Sequence, residues 1–202
     1  MRDVTAIILA AGLSQRMGER NKLLLPVGDI PMIQHMVDVY SAAIAGPVVV
    51  VTGHQAFEIE GALAGSGART MFNPIYAQGQ PTSVACGLRA VKDADAILVG
   101  LGDQPLLTAG DLRVLLAAHA ATDTSRISIP MVDQQRGNPI VVPGALRDRL
   151  LADPRSPGCK KFTRTHPEHV QFHALIAPGF YTDVDTPDAY AALGTRKQDE
   201  HT

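Results

Sequence analysis

The stretch IILAAGLSQRMGERNK, Ile7–Lys22, decides how the rest of the chain is read. Its first residues continue an apolar run from Val4, and Val4–Leu9 reads as a buried strand, too uniformly apolar to be half exposed. Ala10, Ala11 and Gly12 then remove side-chain bulk where the chain leaves the strand. Such a turn lets backbone N–H groups approach an anion closely. Ser14, Arg16 and Lys22 crowd into the same loop, and the two cations supply charge of the kind a polyphosphate needs.

Working outward, strands and helices alternate. Met32–Ile44 carries apolar residues at three- and four-residue intervals (Met32, Ile33, Met36, Val37, Tyr40, Ile44) and predicts a helix. Val48–Val51 is a β-branched strand, Phe57–Leu63 a short helix and Arg69–Phe72 a brief strand. Asn73–Thr82 is a Pro- and Gly-punctuated loop before a helix over Ser83–Val91. Ala94–Leu101 is the next apolar strand, and Thr108 is placed to cap a helix running to His119. Strands follow at Ile127–Val132 and Pro139–Val142, around a polar turn at Gln134–Asn138. Helices are expected at Gly144–Leu151 and Pro157–Thr165, strands at His169–His173 and Tyr181–Asp185, and a last helix at Asp188–Leu193. The expectation is one domain over residues 1–195, then a charged, frayed tail over 196–202. The alternation predicts an α/β fold, with helices layered on a mostly parallel sheet.

Bulk properties narrow the function classes. The chain has 202 residues, 46% hydrophobic and 19% charged, as in soluble globular proteins. Its formal net charge of −2 gives no broad field for nucleic acid or an anionic membrane, so any phosphate binding must be local. No signal-peptide pattern opens the sequence and no apolar run approaches a membrane span. Cys86 and Cys159 lie far apart with no CxxC or His-rich spacing, which fits a reducing, cytoplasmic setting.

Three clusters follow directly on predicted strands: Ala10–Lys22, Gly102–Pro105 and Asp183–Pro187. In open α/β sheets ligands bind beyond the strand C-terminal ends, so the three are expected to form one composite site. A dinucleotide fingerprint is missing, because Gly12 and Gly18 have no glycine between them and the strand at Val48–Val51 closes on Thr52-Gly53-His54. No G-x-x-x-x-G-K-[ST] occurs either. Asp103 and Asp185 suit Mg²⁺, which takes one or two carboxylates together with substrate phosphates. Each also has a plainer reading: Asp103 as a turn residue and Asp185 as the N-cap of the last helix. Strand alternation would point Asp183 and Asp185 the same way. Gln78, Gly79 and Gln80 could meet a base or sugar, and Arg136-Gly137-Asn138 either reaches a second substrate's phosphate or closes a hairpin. No nucleophilic triad is indicated, since Ser14 and Ser83 lack a G-x-S-x-G setting.

LAAGLSQRMGERNK at Leu9–Lys22 resembles the L-A-A-G-x-S-x-R-M-G…K signature of the MobA-like nucleotidyltransferases. KLLLPVGDIPMI at 22–33, GDQPLL at 102–107, RGNP at 136–139 and DVDTP at 183–187 are most similar to the molybdenum cofactor cytidylyltransferases. The resemblance implies a Rossmann-like three-layer fold with a mixed sheet of the nucleotide-diphospho-sugar transferase type. It implies Mg²⁺-dependent transfer of CMP from CTP to molybdopterin, with release of pyrophosphate. The backbone around Ala10–Gly12, with Leu9, Ser14 and Ser83 beside it, would hold the nucleoside. Arg16 and Lys22 would bind the triphosphate, Asp103 and Asp185 the metal, and Arg136 and Asn138 the acceptor, with a molybdoenzyme as a further partner. Two departures fall where base or acceptor is read: GQPTSV at 79–84 is less Ser- and Met-rich than in the relatives, and Asn138 stands where they more often carry His. Another acceptor, another nucleoside triphosphate, or a cofactor-binding accessory protein therefore stay open.

Overall fold

A computed structural model describes residues 3–17, 20–152 and 158–199. The main sheet is built on the three apolar runs read from the sequence. In chain order the elements begin with β1 (Val4–Ala10), the two-residue strands β2 (Pro26–Val27) and β3 (Ile30–Pro31), α1 (Met32–Ala43) and β4 (Val48–Thr52). They continue with α2 (Ala56–Ala62), β5 (Arg69–Phe72), α3 (Gln80–Ala90), β6 (Ala96–Leu101) and α4 (Ala109–Ala120). The second half comprises β7 (Ile127–Val132), β8 (Gln135–Arg136), β9 (Ile140–Pro143), α5 (Arg147–Leu151), α6 (Cys159–Thr165), β10 (Val170–His173) and α7 (Pro187–Asp199).

Strand order is β10-β7-β9-β6-β1-β4-β5. β1 lies parallel to both β4 and β6, while β9 runs antiparallel to its neighbours β6 and β7. The sheet is thus mixed and mostly parallel, as expected. Parallel strands covered on both faces need near-continuous apolar runs, and β1, β4 and β6 have them, broken only by Thr5, Thr52 and Gly100. Ala6, Ile8, Val48, Val50, Ala96 and Leu98 pack into one core, under α1, α2 and α4. Ile7, Val49, Val51, Ile97 and Val99 face the other way into a second core, under α3, α5 and α6. Helix–sheet–helix layering follows from that alternation alone.

The local signals mostly hold. Thr108 caps α4 with a reciprocal box: its hydroxyl accepts from the Asp111 amide at 3.1 Å, and the Asp111 carboxylate accepts from the Thr108 amide at 3.0 Å. The polar turn at Gln134–Asn138 contains a hairpin, because Asp133 and Gln134 both take positive φ (47° and 65°) and fold β8 back onto β7. Two expectations fail. Tyr181–Asp185 is not a strand; the segment makes one ladder-like bond, Val184 N–H to the Asp103 carbonyl at 2.8 Å, between turns at Pro178 and Pro187. The last helix does not stop at Leu193 but continues to Asp199, across the expected boundary at residue 195. Gly194 does not break it, since one interior glycine costs only about 1 kcal/mol and strong helix formers follow. Pro157 and residues 200–202 lie outside the described residues.

A buried polar node ties the edge strand β10 to α4. The Ser128 hydroxyl lies 2.9 Å from His119 Nδ1, 2.9 Å from His173 Nε2 and 2.9 Å from Gln171 Nε2. The amide donates, so the oxygen can accept from one imidazole and must donate to the other. The ring that accepts from Ser128 must therefore stay neutral. Burial lowers the pKa of each histidine, His173 lowering His119 further against a smaller opposite pull from Asp123. A folded-state pKa below the unfolded value near 6.5 means stability that is present above that value and lost as pH falls below it. Melting temperature should therefore drop between pH 7 and 5, and drop less in a His119→Gln, His173→Gln double variant. Parallel pH curves for the two proteins would reject the node as a titrating element.

Candidate functional site

The chain leaves β1 at Ala10 and enters an irregular loop, in which Ser14 adopts a left-handed φ of 49°. An added Cβ at Gly12 would meet no protein atom within 4 Å. Glycine there leaves the backbone open to the cleft instead of relieving a clash. Farther along, Asn21 is 5% exposed and its side-chain oxygen accepts from the Leu23 amide at 3.1 Å. That cap starts the short 3₁₀ turn Lys22–Leu24 and fixes the point from which Lys22 projects.

Asp103 follows β6 directly. The loop around it is registered against β1 by the Gly102 amide, which donates to the Leu9 carbonyl at 3.0 Å. The distant 178–185 segment is docked onto the same loop. Phe180 and Val184 are each 1% exposed and anchor it in the first core. Gln104 Nε2 donates to the Phe180 carbonyl at 3.2 Å, and Gly179 packs where a Cβ would lie 2.6 Å from the Leu106 carbonyl oxygen. With Val184 turned inward, Asp183 and Asp185 turn outward together, as alternation predicted, although no strand carries them.

Five charged side chains meet at the mouth of a cleft of about 480 Å³. Lys22 Nζ donates to the Asp103 carboxylate and, at 2.7 Å, to Asp185 Oδ1. Arg16 Nη2 donates to Asp185 Oδ2 at 2.6 Å while the rest of its side chain stays exposed. Oxygens of Asp103, Asp183 and Asp185 lie within 4.8 Å of one another. The Asp103 side chain is only 14% exposed, and its Oδ1 is buried with no hydrogen-bond partner. Burial pushes the Asp103 carboxyl up against the lowering pull of Lys22. Burial also works to raise Asp185, but Lys22 and Arg16 outweigh it and hold that carboxyl down. For Lys22 the burial penalty is overcome by its two carboxylates, so its ammonium stays charged above its ordinary range. Three acids, an unpartnered carboxylate oxygen and two cations form a site in which metal and polyanion can each replace an internal ion pair.

Leu9, Ala11, Gly12, Ser14 and Ser83 also line this cleft. Ala10 does not: it is 1% exposed and packs in the first core, so its side chain belongs to the fold. Asp185 does not cap α7; the Thr186 hydroxyl takes that role, accepting from the Ala189 amide at 3.2 Å. Ser83 is 3% exposed and its hydroxyl accepts from Asn73 Nδ2 at 3.0 Å. Gln78 faces a separate groove, whereas Gly79 and Gln80 line the cleft. Arg136 and Asn138 line a second, adjoining pocket of about 280 Å³. Asp183 as an equal member of the acid cluster, and Tyr76 in the wall, were missed. Asp183 had a usable signal in the DVD alternation; Tyr76 had none.

The profile of the MobA-like NTP transferase domain matches residues 6–170, which takes in most of β1, all of β4, β5, β6, β7 and β9, and the Lys22–Asp103 pair. The chain belongs to the MobA-like NTP transferase family. Among curated relatives, the bifunctional protein GlmU of Pelobacter propionicus is 38% identical over 121 residues, covering 59% of this chain and 26% of GlmU. The chain thus spans about a quarter of the length of that relative. Nicotine blue oxidoreductase of Paenarthrobacter nicotinovorans is 27% identical over 188 residues, with 91% of this chain and 92% of that protein covered. A Methanothermobacter nucleotidyl transferase shares the fold with a TM-score of 0.85 at 24% identity, covering 99% of this chain and 100% of that one. The Rv0371c protein of Mycobacterium tuberculosis, solved in complex with manganese, gives a TM-score of 0.71 at 25% identity, covering 95% and 97%. No helix among the described residues is long and apolar enough to cross a membrane.

Proposed function

We propose that this family member is a Mg²⁺-dependent cytidylyltransferase, which moves CMP from CTP to the phosphate of molybdopterin and releases pyrophosphate. The observation that carries the reading is the convergence of Arg16 and Lys22 with three carboxylates at the cleft mouth. The unpartnered Asp103 Oδ1 and the neighbouring Asp183 and Asp185 oxygens fit a hard divalent cation. When bound there, the metal would neutralise charge on the triphosphate oxygens.

The chain's own residues do the rest. Lys22 offers a compact positive charge to the β- and γ-phosphates, and Arg16 can hold two phosphate oxygens at once. Gly12 lets the backbone approach the nucleotide without a side chain between them. An acceptor phosphomonoester, with its second pKa near 6, is already dianionic at neutral pH, so its oxygen can attack the α-phosphorus with no protein base. The bond to the β-phosphate breaks as the new P–O bond forms, and pyrophosphate carries off the electron pair. Positioning and charge neutralisation are therefore the protein's contribution. The two widely spaced cysteines suit a cytoplasmic setting for this reaction, with a molybdoenzyme as the recipient of the product.

Incubation with CTP, Mg²⁺ and molybdopterin should release pyrophosphate; silence with every nucleoside triphosphate would end the proposal. A thermal-shift panel of CTP, GTP, ATP and UTP with Mg²⁺ reads base preference. Ligand at one hundred times its dissociation constant adds about 2.7 kcal/mol, or roughly 5–10 °C for a chain of this size. Gly12→Ala should leave the melting temperature of the free protein unchanged and weaken nucleotide binding about tenfold, the cost of one misplaced methyl in a tight site. A second reading, an oxidoreductase, is favoured by the near full-length likeness to nicotine blue oxidoreductase. Absorbance-monitored NAD(P)H turnover without pyrophosphate release would select it.

A further inference from the structure

One edge of the main sheet is open. Among the described residues β5 ends the strand order and pairs only with β4. Just beyond it, the Asn73 amide donates to the Thr52 carbonyl of β4 at 2.9 Å. Backbone groups alternate between the two sides of a strand, so Thr70 and Phe72 direct theirs away from β4, to the open edge. Side chains alternate as well. Met71 packs toward the second core and Arg69 shares its face, while Thr70 and Phe72 lie on the other. Phe72 is 50% exposed there.

On the Met71 face, a groove of about 1000 Å³ is bounded by β5 and α3. Val49, Met71, Ala85 and Ala90 give it an apolar lining, to which Arg69, Arg89 and Lys92 add charge of one sign. All three cations are exposed, none has an ion-pair partner among the described residues, and no acidic residue lines the groove. None of these residues lines the nucleotide cleft. In a chain of net charge −2, unpaired cations beside an open strand edge are complementary to an acidic strand. A second copy fits poorly, because pairing β5 with itself would bring both sets of cations together with no acid between them.

We infer that this edge docks an extended acidic segment of a partner protein, which adds to β5 as a further strand. Its backbone pairs with Thr70 and Phe72. On one face of the added strand, carboxylates stand over the groove and meet Arg69, Arg89 and Lys92. On the other, apolar side chains cover Phe72. The site thus selects alternation of acidic and apolar residues rather than acidity alone, and it does not depend on the proposed reaction.

The probe is a fluorescein-labelled peptide of alternating glutamate and valine, read by fluorescence anisotropy against the full chain. It should bind at least about tenfold more tightly than a peptide of the same composition with glutamates and valines in separate blocks. N-methylation of its alternate amides should cost about tenfold or more, by removing the ladder. Arg89→Glu, Lys92→Glu should lose at least about tenfold, as attractive contacts turn repulsive. Thr70→Pro removes one outward N–H, which an edge strand tolerates, and should block binding with little change in melting temperature. CTP with Mg²⁺ should give the same thermal shift in every variant. No binding at about 1 mM peptide, equal binding of the block or N-methylated peptide, or unchanged affinity in both variants would each overturn the inference. Displacement by a short single-stranded RNA would overturn it by assigning the cations to nucleic acid. A dimer dissolved by Thr70→Pro would do so by giving the edge to a second copy, and a lost CTP shift by giving the groove to the nucleotide.

Discussion

Replacing Asp103 with asparagine is expected to cut nucleotide-dependent pyrophosphate release by about 10²–10³-fold, roughly 3–4 kcal/mol of barrier, the scale of losing one preorganised charge contact. Asparagine has the shape of aspartate but no charge. It withdraws one of the three clustered carboxylates and leaves a neutral amide where a buried, unpartnered oxygen stood. Structure should be spared, because Lys22 keeps its bond to Asp185 at 2.7 Å. Burial already penalises the charged form of Asp103, so removing that charge relieves a cost while it breaks a pair. The melting temperature should move by a few degrees at most. Steady-state rates and a thermal melt on the same preparation check both halves. A protein that binds nucleotide without turnover, and whose function Asp103→Asn does not reduce, would instead be a cofactor-binding accessory protein.

A large stability effect is expected at Gly100, near the C-terminal end of β6. A Cβ built there would lie 1.8 Å from the Tyr40 hydroxyl oxygen and 3.0 Å from Tyr40 Cζ and Pro139 Cβ. Tyr40 is fully buried on α1 and its hydroxyl has no partner, so it can neither swing into solvent nor trade one hydrogen bond for another. Gly100→Ala should therefore cost about 2–3 kcal/mol through overpacking, roughly a 5–10 °C fall in melting temperature. Tyr40→Phe removes the obstructing atom together with a buried unsatisfied hydroxyl, and should stabilise by about 1 kcal/mol. In the Tyr40→Phe background the alanine meets nothing closer than 3.0 Å, and most of its cost should vanish. Thermal melts of the four proteins in this double-mutant cycle test the claim. Additive effects would show that the clash is relieved elsewhere.

The strands β1, β4 and β6 and the capped helix α4 were legible because each carries its signal locally: unbroken apolar runs for a sheet covered on both faces, and a Thr108–Asp111 box for a helix start. The loop Ala10–Lys22 was legible for a similar reason, with small residues beside two cations after a buried strand. Asp185 was ambiguous, because a capping role and a site role leave the same DVDTP trace. The outcome turned on Thr186, one residue away, which serves the cap and releases Asp185 to face Lys22.

By itself, then, the sequence determined the layered α/β architecture, the phosphate-suited loop and the identity of four of the five charged residues at the cleft mouth. Those properties depend on hydrophobic periodicity and residue type, both carried by near neighbours in the chain. Only the tertiary structure decided that Asp183 joins Asp103 and Asp185, that Ala10 faces the core, and that α3 brings Arg89 and Lys92 round one groove with Arg69. These placements depend on packing between distant segments: Phe180 and Val184 buried against β6's loop, and α3 laid over the second core. Contacts at that separation are set by which apolar surfaces fit together, and local pattern carries no record of them.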